Sequence, residues 1–219
     1  MPTVESYASL LRRRFAGVLA THCVRLAGYP FASRVPYCPD PHGHPLLAVS
    51  ALAQHSQNLR ADARVALSIW DEHPDDVQAA ARATLVGDIE TAHADASSIY
   101  LEHFPVAAVY LRELDFTLYR LRVREVHFIA GFASVHWLDD GDLSDVPAWS
   151  IAERTRALAA VPEDSLQKLA ETGEETFQLA GIDPQGLTLR CTQTLRRVAF
   201  PETLQSPRSV AATLAQLTA

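Results

Sequence analysis

From Pro30 to Trp70 the sequence commits the chain to antiparallel strands. Phe31, Ser33 and Val35 alternate with Ala32, Arg34 and Pro36, the period of two that a half-buried strand requires. Asp40-Pro41-His42-Gly43 then supplies turn chemistry, with Pro presetting φ and Gly admitting φ > 0. Pro45 to Leu52 reads as the next strand, and Gln54 to Asn58 as a polar segment entering a short helix. Arg64 to Trp70 closes the unit as a third strand. Strands joined this closely, with one face apolar, must curl or pair further to bury that face.

The flanking segments extend the pattern. Thr3 to Phe15 carries an apolar stripe of Val4, Tyr7, Leu10, Leu11 and Phe15 and is expected to be a helix ended by Gly17. Arg12, Arg13 and Arg14 fan over different faces at helical spacing and are expected to be a solvated helix end. Val18 to Cys23 should pair with Phe31 to Tyr37, and Arg82 to Ile89 alternates as a strand. Helices are expected over Asp95 to His103 and Val106 to Arg112, then a long strand from Phe116 to Ile129. Asp139 to Pro147 reads as an acidic linker between residues 1–142 and a small α+β domain over 148–219. That second domain is expected to hold two helices, a strand through Phe177 to Asp183, strands at Leu187 to Cys191 and Thr194 to Phe200, and a closing helix from Ser206.

Composition excludes several classes. A net charge of −7 gives no electrostatic footprint for nucleic acid and no polybasic membrane signal. No apolar run approaches the ~20 residues that span a bilayer, and the N-terminus lacks a signal peptide's apolar core. Cys23, Cys38 and Cys191 are odd in number and scattered, so neither a disulfide framework nor a metal knuckle is expected, and a cytoplasmic location is.

The ordered set Pro30-Phe31-Ala32-Ser33, Ser50 to Leu59, Arg82-Ala83-Thr84-Leu85-Val86-Gly87 and Gly131-Phe132 resembles the flavin-binding split barrel of the pyridoxamine 5′-phosphate oxidase superfamily, and within it the HugZ-type haem-utilisation branch. The resemblance implies an α+β fold: an antiparallel split β-barrel with flanking helices and a small C-terminal α+β domain. It also implies a homodimer, with FMN at the interface and a redox step on a small molecule. The loop after the second strand would lie near the flavin phosphate, where Ser50, His55, Ser56, Gln57 and Asn58 offer hydroxyl, amide and imidazole groups. Ser33, Arg34 and Arg82 are further candidates, Arg82 with an ion pair to Asp88 or Glu90 as the alternative reading. Trp137 is a candidate from the resemblance of Gly131 to Leu138 to the family's Gly-Phe-Gly-x-x-x-Trp-Leu segment, in which Ala133 replaces a glycine.

Three departures bear on function. Gln57 stands where related proteins commonly carry a base, which lowers the expected affinity for an anion. The Arg-x-His substrate motif of the vitamin-forming oxidases is missing; Arg196-Arg197-Val198 stands there instead. No histidine follows His136, so the C-terminal iron ligand of haem-degrading members is absent, and with no Met or Tyr from residue 137 onward only Cys191 offers a haem-ligating group there. The sequence therefore supports an FMN-dependent oxidoreductase first. The alternatives are a haem-binding protein using a barrel imidazole (His22, His55, His127 or His136), or a cofactor-free binding protein. It names no catalytic residue and no metal site.

Overall fold

The structure, a computed structural model, describes residues 2–72, 76–131, 134–169, 177–192 and 194–218. Contacts divide the chain into two compact units, Met1–Val146 and Pro147–Ala219.

In the first unit, helix α1 (Pro2–Arg13) precedes strands β1 (Ala16–His22), β2 (Pro30–Pro36), β3 (Cys38–Pro39) and β4 (Pro45–Ser50). Helix α2 (Gln54–Ala61) leads to β5 (Arg64–Trp70) and β6 (Arg82–Thr91). Helices α3 (Ala94–His103) and α4 (Ala107–Glu113) come before β7 (Phe116–Gly131), β8 (Ser134–Asp139) and the short helix α5 (Asp140–Ser144). The strands form one antiparallel sheet in the order β2-β1-β5-β6-β7-β4-β3, with β8 also on β7. The expected split barrel is thus the fold of this unit.

Alternation explains which face closes. Leu19, Val35, Leu47, Leu67, Leu85 and Val126 point inward with the apolar stripe of α1 and are buried almost completely. The sixteen residues of β7 serve two partners along one edge: β4 pairs with Phe116–Arg120, and β8 with Glu125–Gly131. Its other edge belongs to β6. At the β6–β7 bulge only glycine fits, because a Cβ on Gly87 would lie 2.1 Å from the Arg122 carbonyl oxygen.

Several local expectations are corrected. Helix α1 ends at Arg13, and Gly17 does not terminate it but sits inside β1, where a Cβ would lie 2.7 Å from the Ser68 carbonyl oxygen. The three arginines are not a solvated end: Arg12 is buried, Arg13 pairs with Asp71 and Arg14 with Glu72. The strand from Pro45 stops at Ser50 because residues 51–52 turn towards α2. The acidic stretch after Asp139 is not an extended linker. Asp139 and Asp142 form a capping box for α5, and Leu143 and Val146 pack on the core of this unit. Of the Asp71–Asp76 loop, residues 73–75 lie outside the described residues.

The second unit holds helices α6 (Ile151–Ala159) and α7 (Glu163–Leu169), strands β9 (Gln178–Asp183), β10 (Gly186–Cys191) and β11 (Thr194–Ala199), a short 3-10 turn at Pro207–Ser209 and helix α8 (Val210–Leu217). The sheet runs β11-β10-β9 and carries one apolar face of Leu187, Leu189 and Ile182 against Trp149, Ala157 and Leu214. Asp183 accepts from the Arg197 guanidinium at 2.7 Å and so joins the outer strands across β10. The part of the expected second helix beyond Leu169 lies outside the described residues.

Candidate functional site

The split of the barrel lies between β2 and the segment that follows β4. Strand β2 is one edge of the sheet and β3 the other, and Tyr37 alone separates them in sequence. Helix α2 lies beside this split because Leu59 is buried in the core and Asn58 is locked in place. The Asn58 amide donates to the Thr21 hydroxyl at 2.8 Å and accepts from the Val24 N–H at 3.1 Å and the Gln54 amide at 3.0 Å. A buried amide engaged at both ends fixes the helix against β1 and the β1–β2 loop.

His55, in the first turn of α2, is thereby set across the split from β2. Its Nδ1 lies 2.8 Å from the Ser33 hydroxyl oxygen. The ring is half-buried, and desolvation lowers its pKa below the ordinary histidine value, so it is neutral at physiological pH. In the tautomer that carries its hydrogen on Nδ1, this N–H donates to the Ser33 hydroxyl and the Nε2 lone pair has no protein partner among the described residues. Near α2, the apolar side chains of Val24, Leu26 and Tyr29 in the loop bonded to Asn58, and of Leu52 in the turn entering the helix, are exposed beside Arg25, Gln57 and Arg60.

The remaining sequence candidates fall in three places. Ser56 is buried and donates to the Ser50 carbonyl, while the Ser50 hydroxyl accepts from the Leu52 N–H at 3.3 Å. Gln57 and Arg34 are exposed. Arg82 is elsewhere: it pairs in register with Trp70 and Ile129, and its guanidinium donates to the Gln78 and Ala80 carbonyls at 2.9 and 3.2 Å. It makes no ion pair with Asp88, which instead accepts from Arg124. Trp137 is 60% exposed and stacks on His127, its register partner, with ring centroids 4.5 Å apart. Phe132 and Ala133 lie outside the described residues.

The outer face of the sheet carries a second feature that sequence pairing alone did not locate. Trp70, Arg82, Ile129 and Val135 occupy one register row on β5 to β8, and Ser68, Thr84, His127 and Trp137 the next. Trp70 and Val135 are 42% and 54% exposed, so this face carries exposed apolar side chains beside Arg82, Ser68, Thr84 and His127. Among the described residues no group of three or more His, Cys, Asp or Glu could hold a metal ion by itself. No helix among them is long and apolar enough to cross a membrane.

Comparison with known proteins agrees with this geometry. The family model described as pyridoxamine 5′-phosphate oxidase matches residues 3–130. The noncanonical, chloroplastic heme oxygenase HOZ of Arabidopsis thaliana is 33% identical over 145 residues, covering 64% of this chain. The match spans only 44% of that relative's length. A heme-binding protein of Mycobacterium smegmatis is 28% identical with a TM-score of 0.61, over 99% of this chain and 96% of that one. A protein of unknown function from Agrobacterium tumefaciens superposes with a TM-score of 0.76 at 24% identity, over 99% and 95% of the two chains, which speaks to the fold alone. With residues 3–130, more than half its length, matched by that family and folded as a split barrel, the chain belongs to the pyridoxamine 5′-phosphate oxidase family.

Proposed function

We propose that this protein binds haem, whose iron the His55 imidazole would hold. One observation carries the reading: a neutral ring at the split of the barrel, held through Nδ1 by Ser33, with Nε2 unengaged. A histidine ligand needs its outer nitrogen free and its inner N–H anchored, because the anchor fixes tautomer and ring orientation. The exposed Val24, Leu26, Tyr29 and Leu52 near α2 suit the apolar macrocycle. The names of two relatives, one a heme oxygenase and one a heme-binding protein, support the same ligand. Bound haem supplies iron-centred redox and oxygen chemistry; the chain supplies the imidazole and its orientation.

The flavin reading that the family implies is weaker in this chain. Ser56 and Asn58, two of the donors expected for an FMN phosphate, donate inside the protein, and Gln57 adds no charge. The proposal includes a homodimer closed over the outer face, where the exposed Trp70, Val135 and Trp137 flank Arg82, a mixture of aromatic, aliphatic and guanidinium groups that suits an interface. Cys23, Cys38 and Cys191, none of them in a disulfide, suit a reducing compartment such as the cytoplasm.

The test is parallel titration of the purified protein with haemin, followed by the Soret band, and with FMN, followed by fluorescence quenching. Saturable haem binding at one per chain with no flavin quenching is the expected result. Saturable FMN binding without a Soret shift overturns the proposal.

A further inference from the structure

A second histidine closes a different part of the barrel. Between the stretches of β7 that β4 and β8 occupy, the backbone at Val123 has no strand on that side. Its N–H donates instead to His44 Nδ1 at 3.3 Å. His44 ends the turn Asp40–His44, which a single carboxylate organises: Asp40 Oδ1 accepts the N–H groups of His42 and His44, both at 2.9 Å. Asp40 Oδ2 lies 2.9 Å from Arg120 Nε on β7, an ion pair out of hydrogen-bond alignment. Gly43 takes φ +83°, which the turn needs and a larger residue resists. Behind the turn is a small cavity of about 10 Å³ bounded by Tyr7, Leu11, His44, Val123, Leu143 and Val146. The Tyr7 hydroxyl is buried with no partner among the described residues.

We propose that the Asp40–His44 turn is a proton-sensitive latch on the β7 edge, closed while His44 is neutral and released when its imidazole takes a second proton. The chemistry is a conflict of donors. Nδ1 accepts from Val123 only while it carries no hydrogen; in the imidazolium both nitrogens are donors, and two N–H groups then face each other. The N–H of Val123, a buried core residue, then loses its acceptor.

Every charged group facing His44 enters the balance. Burial lowers its pKa most, Arg120 and His42 lower it further, and Asp40 and Asp140 oppose them. Glu90 lies 3.9 Å from Arg120 and moderates that charge, and the Tyr7 phenol stays neutral because burial raises its pKa. The release is therefore expected below pH 6.5, in the mildly acidic range.

The test is hydrogen exchange at the Val123 amide together with ¹⁵N spectra of the His44 ring, from pH 7.5 to pH 5. The expected result is an unprotonated Nδ1 at pH 7.5. Protection of Val123, corrected for the chemical rate, should fall at least tenfold at the same midpoint as His44 protonation. In His44→Gln, whose amide oxygen accepts the same N–H without titrating, that step disappears. Protonation of His44 without loss of Val123 protection overturns the proposal, and so does a step that persists in His44→Gln. If His44→Gln does not fold, a His44 ring protonated on Nδ1 at pH 7.5 in the native protein overturns it equally.

Discussion

Replacing Asn58 with alanine should loosen α2 and the split together. The side chain is fully buried and makes three hydrogen bonds, to Thr21, Val24 and Gln54. At ~1 kcal/mol net for each, their loss amounts to ~3 kcal/mol. The Thr21 hydroxyl is itself buried, which keeps the figure from falling much lower, whereas the partly exposed Gln54 finds water. Hydrogen exchange at the β1 and β5 amides, around Leu19 and Leu67, reads this unit by itself and avoids a two-state assumption for a chain of two units. The expected change is a loss of ~3 kcal/mol in opening free energy, with Thr21→Val coupled to Asn58→Ala by ~1 kcal/mol in a double-mutant cycle. A loss below ~1 kcal/mol with no coupling refutes the claim that this amide holds α2 in place.

Four further outcomes follow from the same geometry. Gly87→Ala forces a Cβ to 2.1 Å from the Arg122 oxygen, so thermal melting should show a loss of several degrees or an insoluble product. Leu67→Ala removes a fully buried side chain at the centre of the sheet and should lower stability by ~3 kcal/mol in urea unfolding. Arg120→Ala leaves the buried Asp40 carboxylate without its cation, and a loss of ~3 kcal/mol in the same assay is expected. His44 and His55 both have pKa values lowered by burial, so the unfolded chain binds their protons first; stability should be full above pH 6.5 and decline as pH falls through and below it, checked by urea midpoints from pH 8 to 5.

The barrel was legible because its strands announce themselves. Alternation from Phe31 to Val35 and from Arg82 to Ile89, with the Asp-Pro-His-Gly turn between early strands, placed β2, β4 and β6, while β3, β8 and α5 left no such pattern. What misled was local chemistry with a long-range answer. Gly17 looks like a helix end, yet its missing side chain serves the close approach of β5. The acidic stretch after Asp139 looks solvated, but its carboxylates are spent on a capping box and its apolar residues on the core. In the candidate site, Ser33 and His55 were legible as polar residues near one loop, while their contact across 22 positions was not. Arg82 was drawn towards them by resemblance, and the register places it with Trp70 and Ile129 instead. His44 carries no sequence signal at all; its role arises from a gap between two partners of β7.

The central claim concerns one nitrogen, and the most direct measurement is the electronic and EPR spectrum of the haem complex in wild type, His55→Ala and His127→Ala. The account predicts a histidine-ligated spectrum in wild type and His127→Ala. In His55→Ala that ligation is lost, and added imidazole restores it. A histidine-ligated spectrum unchanged in His55→Ala would contradict the account and move the ligand elsewhere in the chain.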